Sequence, residues 1–141
     1  MQDRHGGFMN WIVARIRWIM IISGVLTSTA FYYAIAPQAA LRASFGAALD
    51  GPLAEVVVRN WGALIALVGA MLIYGAFDPK VRLLILNVAA ISKLIFIALM
   101  LSHGKDFLNE QIGIAVGVDV LMVALFIGYL VGERRASRGE R

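Results

Sequence analysis

The chain has 141 residues, 60% of them hydrophobic and 16% charged, with a net charge of +4 and a mean hydropathy of +0.78. That length holds one domain, and so apolar a composition points to a protein whose solvent is a bilayer. The absence of cysteine excludes disulfides, thiol redox chemistry, cysteine nucleophiles and thiolate metal centres.

A helix needs about 20 mostly apolar residues to cross a hydrocarbon core of about 30 Å. Residues 1–17 form an N-terminal segment in which Phe8, Trp11, Ile12 and Ile16 accompany Arg15 and Arg17, the pattern of a helix lying on the membrane surface. The first span follows at 18–36. Its apolar run is too long for a signal peptide, and Pro37 would follow a cut after Ala34-Ile35-Ala36, so a retained helix is expected. Residues 38–55 carry Leu41, Phe45, Ala48 and Leu49 and read as an amphipathic helix on the outer surface, stopped by Asp50-Gly51-Pro52.

The second span is 56–77, and Asp78-Pro79-Lys80 turns tightly into the third, 81–101. A loop opening at Ser102 leads to the fourth, 111–131, and a basic tail occupies 132–141. Short links make neighbouring helices antiparallel. The expected fold is therefore all-α: an up-down-up-down bundle of four transmembrane helices, with residues 18–131 as the membrane domain.

Cations fix the expected orientation. Arg4, Arg15, Arg17, Lys80, Arg82, Arg134, Arg135, Arg138 and Arg141 fall on one side of this topology, against Arg42, Arg59 and Lys105 on the other. The crowded side is cytoplasmic by the positive-inside rule, which puts both termini in the cytoplasm. Cations placed beside apolar runs speak for topology and against a nucleic-acid partner. Membrane lipids are the expected surroundings.

Two charges lie deep within spans, where ionisable residues are expensive to keep. Lys93 is twelve residues into the third span, about 18 Å deep from the inner side. Asp119 is eight residues into the fourth from the outer side, which leaves it at about the same level. An ion pair between Lys93 and Asp119 follows, serving either as a structural clamp or as a ligand or proton site.

Arg59 stands near the outer end of the second span, with Glu55 one turn before it and Asn60 beside it. Glu55 and Arg59 suit a helix-end i,i+4 pair; alternatively Arg59 turns inward above Asp119. With Thr27 and Thr29 of the first span, and Asn87 and Ser92 of the third, these residues outline a polar throat opening outward.

Small residues recur at fourfold spacing as Gly62, Ala66 and Ala70, and as Ala124, Gly128 and Gly132, with a further pair at Gly113 and Gly117. Such stripes let helix backbones approach closely, within the bundle or between chains. His5 and His103 lie outside the spans, which argues against a bis-histidine haem. His103, Asp106 and Glu110 match no zinc spacing. No nucleophile elbow or phosphate loop is present, so neither catalytic residues nor a cofactor are expected.

The layout resembles the DoxX-like group of small four-helix bacterial membrane proteins. The matching features are Ala36-Pro37, Phe45-Gly46, the Arg59-Asn60-Trp61-Gly62 run, and a cation in the middle of the third helix, here Lys93 where arginine is more usual. The likeness spans roughly residues 18–131. It implies a compact bundle in a bacterial inner membrane and an accessory or assembly role beside a larger membrane protein. A membrane-protein partner or a second copy of the chain is then expected. Two further roles follow: binding of a lipid-like or quinone-like molecule, from the polar throat, and, for an oligomer, proton-linked transport, from Asp119 at depth.

Overall fold

Among the described residues, prolines open three of six α-helices, where a missing N–H costs nothing and a fixed φ suits the first turn. The computed structural model describes residues 3–139; Arg141 and the side chains of Arg4, His5 and Phe8 lie outside that description. In chain order the helices are α1 (Asp3–Ser28), α2 (Phe31–Ile35), α3 (Pro37–Phe45), α4 (Pro52–Phe77), α5 (Pro79–His103) and α6 (Glu110–Gly139). A single 3₁₀ turn, Lys105–Phe107, precedes α6.

Among the described residues, four stretches are long and apolar enough to cross a membrane: Asn10–Ile35, Pro52–Phe77, Pro79–His103 and Glu110–Arg138. α1 packs on α4 and α6, and α5 packs on the same two. The expected four-helix, up-down-up-down bundle is therefore present, with both ends of the described chain at one end of it, the terminal end. Large apolar side chains such as Trp18, Leu53, Leu84 and Ile114 cover the outside, a surface that suits lipid and would be anomalous in water.

The helix ends are closed by side chains. At the terminal end the Asp78 carboxylate accepts from the Lys80 N–H (3.0 Å) and caps α5. Arg82 reaches back to the carbonyls of Gly75 (3.1 Å) and Ala76 (3.0 Å), which α4 leaves without intrahelical partners. At the distal end Asn109 accepts from the Ile112 N–H (2.9 Å) and donates to the Ser44 carbonyl (2.8 Å). One side chain thus starts α6 and ties it to the end of α3.

Several boundaries differ from the sequence expectations. Residues 8–17 are not a separate surface helix, because α1 runs through them unbroken and buries Ile12 and Ile16 in the core. Ile12, Ile16 and Met20 recur every four residues and give this stretch an inward face. Its two arginines sit against aromatic rings, Arg15 over Trp11 (5.4 Å) and Arg17 over Phe77 (4.6 Å). The first crossing consequently starts earlier than 18.

The 38–55 segment is also different. Its helix is short, Pro37–Phe45, and ends at Gly46 with a left-handed φ of 69°. Gly51-Pro52 begins α4 instead of stopping a surface helix. Finally, α6 carries its helix past 131, so the basic residues Arg134, Arg135 and Arg138 ride on a helical extension.

Packing is uneven along the bundle axis. Ile12, Ile16 and Met20 of α1, Leu72 and Ala76 of α4, Ile85 and Leu86 of α5, and Met122 and Phe126 of α6 form one buried cluster. All of them belong to the terminal half. α1 and α4 meet backbone to backbone farther up: a Cβ on Gly69 would lie 2.6 Å from the Ser28 nitrogen and 2.7 Å from the Gly24 carbonyl. At Gly62 it would lie 2.6 Å from Tyr33 Cβ and 2.8 Å from the Ala30 carbonyl.

The contact stripe is therefore Gly69 facing Gly24 and Gly62 facing Ala30 and Tyr33, not Gly62, Ala66 and Ala70; Ala70 is exposed and Ala66 only half-buried. On α6, Gly128 admits Ile12 Cδ1, whereas Gly113 and Gly117 have open space where a side chain would be. They take no part in packing within the chain. Gly132 is half-buried.

Candidate functional site

Lys93 and Asp119 lie on α5 and α6, which are antiparallel neighbours, and their equal depth brings them together. Lys93 Nζ donates to Asp119 Oδ1 at 2.5 Å, with the two side chains 8% and 18% exposed. Two unpaired charges at this depth would each face a large desolvation penalty; a hydrogen-bonded pair offsets part of it. Among the described residues Asp119 is the only hydrogen-bond partner of Lys93. Two of the three ammonium N–H groups remain available.

The pair stands where the packed terminal half gives way to a hollow distal half. A cavity of about 500 Å³ begins there, with Lys93 and Asp119 in its wall. Thr27 and Tyr33 line it from the first crossing, Trp61 from α4, Ser92 and Phe96 from α5, and Ile112 from α6. Ser44 and Phe45 reach it from α3, which folds back because Ala36, the residue before proline, leaves the helical region at φ −131°.

The polar groups of the cavity differ in how they are satisfied. The Tyr33 hydroxyl donates to Ser44 Oγ at 2.5 Å. Thr27 Oγ1 is buried and has no hydrogen-bond partner, although Thr27 as a whole is only 8% exposed. An orphaned hydroxyl in such surroundings forfeits about 1–3 kcal/mol. It is a polar position that the fold leaves unmet. The remaining wall is aromatic and aliphatic, with Tyr33 edge-on to Trp61 at 4.8 Å.

Arg59 does not join this site. Its guanidinium pairs with Glu55 Oε1 (3.1 and 2.6 Å) and donates to the carbonyls of Ala34 (2.6 Å) and Ile35 (3.0 Å). The alternative in which it turns inward above Asp119 is not adopted: the Glu55 carboxylate and the carbonyls that the end of α2 leaves without intrahelical partners take its donors. Asn60 is exposed beside it. Asn87 donates to the Leu83 carbonyl of its own helix (2.7 Å) and belongs to a groove at the terminal end. Of the residues expected to form the throat, the structure thus assembles Thr27, Thr29, Ser92, Lys93 and Asp119 and leaves out Arg59, Asn60 and Asn87.

Tyr33, Ser44, Phe45 and Trp61 complete the cavity without belonging to the expected throat. Their signal in the sequence is the aromatic clustering around Pro37 and Asn60, which reads equally well as an interfacial belt. No family model, curated protein or solved structure matches this chain.

Proposed function

We propose that this protein binds a lipid-like or quinone-like amphiphile in the cavity beside Lys93 and Asp119. The observation that carries the reading is a 500 Å³ opening lined mainly by apolar and aromatic groups, with a few convergent polar atoms at its inner end. That is the composition of a small-molecule site. The unpartnered hydroxyl of Thr27 adds a polar position that the folded chain alone leaves unmet.

In this proposal the protein sits in a bacterial inner membrane with both termini in the cytoplasm, so the cavity faces the outer half of the bilayer. Its support is the charge asymmetry: Arg15, Arg17, Lys80, Arg82, Arg134, Arg135 and Arg138 all belong to the terminal end of the bundle. A DoxX-like affiliation is part of the same reading and rests on the four-helix layout with a cation in the middle of α5.

Native mass spectrometry of the protein extracted in mild detergent tests the binding. A retained small molecule that is lost in Lys93→Ala supports it. Protein that carries no adduct from native membranes, with Lys93→Ala indistinguishable from it, rules it out.

A second reading is an accessory subunit. The open face at Gly113 and Gly117 on α6 favours it, because a neighbouring transmembrane helix can approach such a face closely. Recovery of a stoichiometric membrane-protein partner, lost on Gly117→Leu, is its expected signature; a partner-free species from native membranes counts against it.

A further inference from the structure

The ligand class can be narrowed from the charges and the shape of the site, an inference that rests on the binding reading above. Lys93 and Asp119 cancel, and no other Asp, Glu, Lys, Arg or His lines the cavity among the described residues. An ionic headgroup would therefore either add a net charge to a low-dielectric site or displace one partner and strand the other. Both are strongly unfavourable. A neutral group meets no such penalty.

The available positions call for a group that gives and takes. Lys93 offers two further N–H groups, Thr27 an unpartnered hydroxyl, and Asp119 a second carboxylate oxygen with no hydrogen bond among the described residues. A hydroxyl or primary amide can accept from Lys93 while donating to Asp119. A group with acceptors alone would leave that oxygen unpaired.

The tail has a destination as well. Phe45 and Trp61, with ring centroids 6.5 Å apart, form a wall shared by the polar cavity and a second one of about 360 Å³. The second cavity is lined by Leu41, Ala48, Leu49, Val57, Val58 and Phe107 besides those two rings, with no polar side chain among them. We propose that the ligand is a neutral amphiphile. Its hydroxyl- or amide-bearing headgroup sits among Lys93, Asp119 and Thr27, and its apolar tail passes Phe45 and Trp61 into the second cavity.

Trp61 reports on both cavities. The other two tryptophans, Trp11 and Trp18, are on the exposed face of α1, so Trp11→Phe with Trp18→Phe leaves Trp61 as the sole indole. In nanodiscs, its emission is titrated with monohexadecanoylglycerol, hexadecylphosphate and hexadecyltrimethylammonium, which all carry a saturated chain of sixteen carbons. The glycerol ester should bind at least about tenfold more tightly than either ion, and Thr27→Val should weaken it without lowering the thermal stability of the free protein.

Equal or tighter binding of either ion overturns the neutral headgroup and leaves the cavity a ligand site. No response to any of the three, with thermal unfolding unchanged, removes the binding reading itself. Ala48→Phe, which fills the second cavity, should weaken the hexadecanoyl ester but not its butanoyl homologue. Equal effects on both would overturn the tail route.

Discussion

Gly69→Ala and Gly117→Ala add the same methyl group to two transmembrane helices and should move stability in opposite directions. On α4, the new Cβ at position 69 lies 2.6 Å from the Ser28 nitrogen and 2.7 Å from the Gly24 carbonyl. Ordinary contact begins near 3.4 Å, so the shortfall is about 0.8 Å against backbone atoms that no rotamer change can move. α1 must back away or tilt, and the loss should be about 1–3 kcal/mol, the range for overpacking a tight interface. On α6, position 117 has nothing within 4 Å. There the methyl only reduces the backbone freedom of the unfolded chain, a gain of up to about 0.5–1 kcal/mol. Reversible unfolding by SDS titration in mixed micelles, followed by circular dichroism, measures both. A Gly69→Ala protein as stable as the parent would refute backbone contact between α1 and α4 at this point. A Gly117→Ala protein that loses stability in a concentration-dependent way would instead place that face against another chain.

Two other outcomes follow from the pair and the topology. Lys93→Met leaves Asp119 buried without a cation and should cost about 3–5 kcal/mol, whereas Lys93→Met with Asp119→Leu should recover most of it, as apolar replacement of a buried pair usually does. Additive losses in that cycle would show that the two residues do not interact. The chain has no cysteine, so single cysteines can be labelled without removing any background. In intact cells a membrane-impermeant maleimide should modify Asp106→Cys and spare Ser137→Cys; the reverse pattern overturns the proposed orientation.

Much of the architecture was legible from apolar run lengths and turn residues. Four runs of bilayer length and the Asp78-Pro79 turn dictate four antiparallel helices, since backbone groups in lipid must be satisfied within the helix itself. The Lys93–Asp119 contact was legible for the same reason. Rise per residue converts sequence position into depth, and two opposite charges at one depth on adjacent helices have no better partner. Boundaries near charges were less legible: Arg15 and Arg17 look like the end of a span, yet α1 passes through them because their guanidinium groups rest on Trp11 and Phe77.

What the sequence by itself determined is therefore what depends on one dimension: helix count, direction and the level of each residue. What the tertiary structure decided is rotation and lateral approach. Arg59 and Thr27 lie on neighbouring crossings toward the same end of the bundle. One turns to the open carbonyls of α2, while the other is left in the cavity wall without a partner. Gly69 and Gly117 are both glycines within transmembrane helices, but only Gly69 faces another backbone. Helical phase repeats every 3.6 residues with no mark of which face looks inward. In lipid the outer face is as apolar as the inner one, so hydropathy carries no such mark either. The hollow beside Lys93 exists because α1 and α4 close tightly at Gly24 and Gly69 while α3, turned aside at Ala36-Pro37, covers the distal end without filling it.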